Sequence, residues 1–317
     1  MSQTRRNFLQ AAGELGVGIT GASALAAQTQ STPSGAPTGP LAPDPKIQIP
    51  KVKFGKAEIS RLVLGVNPFY GFAHFNNNFS GVMKDWYTAD RVCSVMHQCN
   101  RYGINAFNYV HVHRGPEDWA RFCAEGGKMH LVIQVTGGVD ITPLVKTLQP
   151  LALQRQGEVV DTAYQRDDMD SVKEWCKKAR DLGVLVGVGT HIPEVIKKIE
   201  DENWDVDFYS GCVYNRRRTA EEWKKTLNGE IMEMSGDTYM QSDPPRMYKV
   251  LRQTKKHCFA FKILAAGRIP DRGIEQAFRT AFESIKPTDC VYLGMFPRFK
   301  DEVRENAEIV HRLLTRA

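Results

Sequence analysis

The sequence predicts a (β/α)₈ barrel, and three observations lead there. From Lys51 onward, short apolar runs alternate with amphipathic helical stretches. The alternation repeats eight times, and parallel strands require helical crossovers of this kind. The chain of 317 residues, 42% hydrophobic and 25% charged, is long enough for one barrel domain of roughly 250 residues after processing. Closing eight strands into a ring also removes the sheet edges that would otherwise invite association.

The strands are read as RLVLGVN at 61–67, INAFNYV at 104–110, HLVIQVT at 130–136, EVVDTAYQ at 158–165, VLVGVGT at 184–190, DFYSGCVY at 207–214, CFAFKIL at 258–264 and CVYLGM at 290–295. The fourth has the weakest pattern, and its register is not fixed by the sequence. Helices are expected at 88–103, 115–127, 170–183, 193–203, 272–285 and 300–316. The connection at 216–257 is longer than a crossover needs. It holds a helix at 219–228 and is read either as a lid or substrate wall, or as a packed extra helix.

Ahead of the barrel, Arg5-Arg6, then Phe8-Leu9, a Gly/Ala-rich stretch and the small-residue site Ala24-Leu25-Ala26 resemble a twin-arginine signal peptide over residues 1–27. The resemblance implies delivery to the periplasm by the twin-arginine export machinery, after folding in the cytoplasm. The stretch is too short and Gly-rich for a good membrane span. Residues 28–50, rich in Pro, Gly, Ser and Thr, read as a linker, and 51–317 as a single barrel domain. The seven scattered cysteines contain no CxxC pair and fit reduced core positions. A net charge of +6, dispersed among acidic residues, does not indicate a nucleic-acid surface.

Four segments in order, KFGKAEISRLVLGVNPFYG, GINAFNYVHVHRGPEDWA, VLVGVGTHIPEVIKKIEDENWDVDFYSGCVYN and GMFPRFKDEVRENAEIV, resemble the aldo/keto reductase superfamily across residues 53–317. The resemblance implies NADP(H)-linked oxidoreduction of a carbonyl by an Asp, Tyr, Lys and His tetrad. Carried over by position, the Asp falls at Asn108, the Tyr at His113, the Lys at Thr136 and the His near Tyr164 or Gln165. None of the four is kept.

Functional groups in this architecture belong at the C-terminal strand ends. The first offers Asn67, Tyr70 and His74; the second Asn108, His111, His113 and Arg114; the third Thr136; the fourth Tyr164, Gln165 and Asp167; the fifth His191; the sixth Tyr214 and Asn215; the seventh Lys262 and Arg268; the eighth Arg298. His113 is a candidate general acid or base, since imidazole titrates near neutrality; the alternative is a loop histidine bonded to backbone. His111 and His191 are candidates to join it, as proton carriers or as ligands of a divalent metal. Lys262, in an apolar strand, is read as an anion contact or proton shuttle, or as a snorkelled strand-end lysine.

By the same resemblance, Asn215, Gly267, Arg268, Arg298, Glu305 and Asn306 stand where the family holds its dinucleotide. Arg298 suits a phosphate, whereas Phe296 replaces the family's usual glycine. The leading expectation is an exported oxidoreductase, NADP(H)-linked and acting on a carbonyl or carbohydrate-like small molecule, with His113 in place of tyrosine. The alternatives are a lyase, isomerase or hydrolase using His111, His113, His191 and Lys262, with or without metal, and a non-catalytic binding protein. Fold alone does not choose among them.

Overall fold

The computed structural model describes residues 39–228 and 237–315. The Arg5-Arg6 leader, residues 28–38 and residues 229–236 lie outside the described residues. The end of the expected linker is tied to the barrel: the Asp44 and Ile49 N–H groups donate to the carbonyls of Arg101 and Tyr102 at 2.9 Å, and Ile49 is buried.

Strands β1 (Lys51–Phe54) and β2 (Ala57–Ser60) form an antiparallel hairpin. Its turn begins at Gly55, whose φ of +58° is the left-handed conformation that glycine adopts without strain. The hairpin plugs the N-terminal end of the barrel, with the Phe54 ring 5.2 Å and 5.3 Å from those of Phe208 and Phe259 in edge-on contact.

The barrel is closed and all-parallel. It comprises β3 (Leu62–Gly65), β4 (Ala106–Val110), β5 (His130–Val135), β6 (Ala152–Arg155), β7 (Leu185–Thr190), β8 (Phe208–Cys212), β9 (His257–Phe261) and β10 (Cys290–Gly294), with β10 pairing back to β3. Seven overlap the expected runs. The expected fourth strand at 158–165 is instead helix α5 (Gly157–Gln165), and the strand lies just before it. The segment buries Gly157, Val160, Asp161 and Ala163, a spacing of three and four that a helix satisfies and an alternating strand does not.

The remaining helices are α1 (Asn77–Trp86), α2 (Ala89–Arg101), α3 (Gly115–Ala124), α4 (Ile141–Leu148), α6 (Met169–Asp181), α7 (Pro193–Asp201), α8 (Ala220–Leu227), α9 (Asp243–Gln253), α10 (Asp271–Ser284) and α11 (Glu302–Thr315). The long connection resolves into two parts. Helix α9 buries Met247, Tyr248 and Leu251 and is the crossover from β8 to β9. Helix α8, started by a Thr219–Glu222 capping box, buries no residue.

Side-chain alternation sets the barrel interior. On β5, Leu131, Ile133 and Val135 pack under the helices, while Val132 joins an inner cluster with Val63, Ala106, Ala152, Phe208, Phe259 and Cys290. Two residues further along, the inward set turns polar with Asn108, Gln134, Gln154, Ser210 and Tyr292. Strand β7 faces inward with glycines: a Cβ on Gly187 would lie 2.3 Å from the Phe208 ring, and one on Gly189 2.6 Å from Gln154 Nε2.

All seven cysteines are free, and all but Cys123 are buried. Among the described residues no helix is long and apolar enough to cross a membrane.

Candidate active site

The polar inner layer is the floor of a cavity of about 510 Å³ that opens at the C-terminal ends of the strands, within the usual range for small-molecule sites. In the floor, Gln134 Nε2 donates to Asn108 Oδ1 and Ser210 Oγ donates to Gln154 Oε1, both at 2.5 Å. Asn108 Nδ2 and the Tyr292 hydroxyl are buried without a hydrogen-bond partner of good geometry among the described residues. The Tyr292 ring is held by stacking on Phe259, with centroids 4.4 Å apart. Burial raises its pKa well above the ordinary value, so the hydroxyl keeps its proton. Buried polar groups of this kind are matched by a polar ligand or water.

Lys262 follows the last residue of β9 and lines the cavity above this floor. Burial, and then the neighbouring Arg216 guanidinium, lower its pKa to about 7. Its amine has no hydrogen bond or ion pair among the described residues, only more distant charges. Its φ of +61° is left-handed, as are those of His74 (54°), Ala265 (50°) and Ala266 (52°) on the same rim. Non-glycine residues held this way cost about 1 kcal/mol or more each and cluster at functional sites.

A chain of polar contacts runs behind Lys262. His191 at the end of β7 sits on the buried Asp161 of α5, Nδ1 to Oδ2 at 2.6 Å, and Thr190 Oγ1 donates to the other carboxylate oxygen at 2.5 Å. The other face of the imidazole, Nε2, lies 3.2 Å from Arg216 Nη1. Arg216 in turn pairs with Asp237, which also takes His74 Nδ1 at 2.9 Å. Burial lowers the pKa of both histidines, so each is neutral near pH 7, with Nδ1–H donated to its carboxylate. Burial works against the Asp237 charge, yet the hydrogen bonds from His74 and Arg216 hold its pKa well below the usual range.

The mouth is aromatic on one side, with Phe72, Phe75, Phe79 and Phe296. The end near α11 is acidic: Asp271, Glu302 and Glu305 face a single cation, Lys300, which pairs with Asp271 at 3.1 Å and with Glu305 at 3.0 Å. Glu302 accepts from the Phe296 N–H at 2.6 Å.

No family model matches the chain, and no curated protein matches its sequence. Among solved structures it is similar to a truncated form of 3-deoxy-D-arabino-heptulosonate 7-phosphate synthase from Thermotoga maritima, with TM-score 0.50 and 13% identity over 85% of this chain and 92% of that one. It is also similar to a candidate aldo-keto reductase from Pseudomonas aeruginosa, with TM-score 0.51 and 14% identity over 82% of this chain and 92% of that one. At such identities the likeness shows the barrel fold alone.

The structure separates the residues read from the sequence. Asn108 and Lys262 meet at the cavity, and Gly267, Glu305 and Asn306 line it near the acidic end. His191 supports Arg216 from behind. The Arg268 guanidinium lies over the Tyr239 ring at 4.3 Å and donates to the His74 carbonyl. His111 and His113 are exposed and outside the cavity lining. His111 bonds to the Tyr109 hydroxyl at 3.0 Å, and His113 packs on the rings of Tyr70 and Phe72. Arg298 also lies outside, its guanidinium over Phe299. Asn215 is buried, its N–H donating to Asp243.

Tyr164, Gln165 and Asp167 belong to α5 and its end and not to a strand tip, because the fourth strand stops at Arg155. Among the described residues no three His, Cys, Asp or Glu side chains are grouped to hold a metal ion. Gln134, Gln154, Asp161, Arg216, Asp237 and Tyr292 were not singled out in the sequence. A lone glutamine in the apolar run HLVIQV, two residues after an inward valine, was a usable signal. The Arg216–Asp237 contact had none.

Proposed function

We propose that the chain is an exported enzyme that acts, without redox change, on a small carbonyl- or sugar-like substrate bound above the polar floor. The Lys262 amine is its main proton carrier. The observation that carries this reading is a half-buried lysine in the cavity wall, without an ion-pair partner among the described residues, whose pKa of about 7 leaves a large neutral fraction near neutrality. A neutral amine accepts a proton from carbon next to a carbonyl. Asn108 Nδ2 and the Tyr292 hydroxyl are donors suited to the oxygen on which charge then develops. His74, fixed by Asp237, is a second proton carrier, and the aromatic mouth excludes water. The reaction class is an isomerisation or a lyase step.

The NADP(H)-linked reading keeps one supporting observation, that Gly267, Glu305 and Asn306 line the same cavity. The residues present do not fit a dinucleotide's phosphates. Three carboxylates stand at that end, Lys300 is already paired, and Arg298 faces elsewhere.

The test is Lys262→Met, measured on a panel of aldoses, ketoses and oxo acids by release or exchange of a carbon-bound proton. Rate should fall by about 10²-fold or more with substrate affinity changed only a few-fold, and the wild-type rate should have an inflection near pH 7. Full activity in the variant would remove this reading. Nicotinamide absorbance co-purifying with the folded protein would favour the other. Export belongs to the same proposal and rests on the Arg5-Arg6 leader. Replacing both arginines by lysine should retain the protein in the cytoplasm, and undiminished export would contradict it.

A further inference from the structure

Lys262 differs from the other buried or half-buried lysines of the barrel. Lys256 reaches Glu200 at 3.2 Å and Lys286 reaches Asp289 at 2.8 Å, whereas no carboxylate pairs with Lys262 among the described residues. The charge that acts on it most strongly is the Arg216 cation, against weaker opposing effects of Asp237 and Glu158, and Arg216 is held in place from two sides, by Asp237 and by His191. A desolvated amine beside a fixed cation is the arrangement that keeps a lysine uncharged and nucleophilic. A lysine needed only to attract an anion would be better served by remaining protonated.

We infer that Lys262 forms an imine with the carbonyl carbon of a polyhydroxylated aldehyde or ketone, so that the cavity is a covalent amine site. This inference rests on the non-redox carbonyl chemistry proposed above and deepens it, with the carbon-bound proton passing to His74, because the nitrogen of a protonated imine has no lone pair to accept one. The Lys262 nitrogen lone pair attacks the carbonyl carbon. A C–N bond forms, the carbonyl π electrons move to oxygen, and that oxygen takes a proton from solvent at the open mouth of the cavity. The nitrogen gives a proton to His74, whose Nε2 makes no hydrogen bond among the described residues while Nδ1 is held by Asp237. The C–O bond then breaks as His74 returns the proton, and water leaves. Amine, carbonyl and one proton from solvent become the protonated imine and water, and neither oxidant nor reductant is consumed.

The protonated imine is a stronger electron sink than the carbonyl, so it eases breaking of the adjacent C–H or C–C bond. The hydroxylated class follows from the floor. Asn108, Gln134, Gln154 and Tyr292 present amide and phenol groups toward the cavity, and Asn108 Nδ2 and the Tyr292 hydroxyl, though close to each other and to Ser210, lack a well-aligned hydrogen bond among the described residues. The aromatic mouth suits the apolar faces of such a molecule and slows hydrolysis of the imine.

The experiment uses the full chain with glycolaldehyde, dihydroxyacetone and D-glyceraldehyde as probes. Each is trapped with borohydride across a pH series and mapped by peptide mass spectrometry. Near pH 7 Lys262 should carry the reduced adduct at least about tenfold more often than any exposed lysine, because an ordinary lysine is almost wholly protonated there. Labelling should rise with a midpoint near pH 7. Adducts spread over surface lysines without an excess at Lys262 for any probe would overturn the imine. Exchange of a probe's carbon-bound proton with solvent, measured in wild type and Lys262→Met, separates the two readings. Lys262-dependent exchange without an adduct removes the imine and leaves the proton carrier, whereas an adductless protein with undiminished exchange in the variant removes both.

Discussion

Lys262 places a cation where no carboxylate answers it, so its contribution to stability has a defined sign. Its folded pKa is about 7 against an ordinary 10.5. Between these values the unfolded chain holds a proton that the folded chain lacks, so stability rises with pH across that window. Below about pH 7 both states are protonated, and the penalty for burying the ammonium is complete. Lys262→Met should therefore stabilise the protein at pH 6 by on the order of 1 to 4 kcal/mol, with the gain shrinking toward pH 10. Urea unfolding at a series of pH values measures this, and a pH-independent difference would contradict it.

His74 and His191 act in a lower window. Both are held neutral by burial, so the unfolded chain binds protons below about pH 6.5 that the folded chain resists, and stability is lost as the pH falls there. The depressed Asp237 carboxyl adds a further loss as the unfolded carboxylate begins to protonate near pH 4. Asp161→Ala strands the His191 Nδ1–H and the His191 backbone N–H and should cost about 1 to 3 kcal/mol. An unchanged urea midpoint would show that this carboxylate does not organise the wall.

At the scale of elements, the strands that carry alternating or continuous apolar runs were legible, and so was the order of strand and helix. The fourth was not. Residues 152–155 make a strand of only four residues, while the longer run around Val159 and Val160 mimics one although its buried positions follow helical spacing. Lys262 was legible as a charge in an apolar strand. Its environment was not, because Arg216 and Asp237 lie in a connection without strong periodicity, and they meet Asp161 and His191 only through the tertiary fold.

The glycines of β7 were equally silent in the sequence, and their role gives an element-scale prediction. Gly187→Ala drives a methyl group into the Phe208 ring and should cost about 1 to 3 kcal/mol or more. Gly81→Ala, in α1 with open space around it, should stabilise by roughly 0.5 to 1 kcal/mol. Thermal unfolding of the two variants checks the contrast, and equal shifts would contradict the packing described for β7.

For the molecule as a whole, one closed barrel with a plugged base leaves the C-terminal face as the place where polar groups converge. The seven cysteines are free in this fold, so a reducing agent should leave Tm unchanged. A fall in Tm on reduction would mean that a disulfide supports the folded protein. The acidic end of the cavity would repel a polyanion, and its amide floor offers hydrogen bonds to a compact neutral or weakly charged ligand.

The most direct measurement of the central claim is the ionisation of the Lys262 amine in the intact protein, followed by competitive acetylation with trace acetic anhydride and mass spectrometry of the Lys262 peptide against pH. The account predicts a titration midpoint near pH 7 for Lys262, with the exposed lysines titrating near 10. A Lys262 midpoint that coincides with theirs would contradict it.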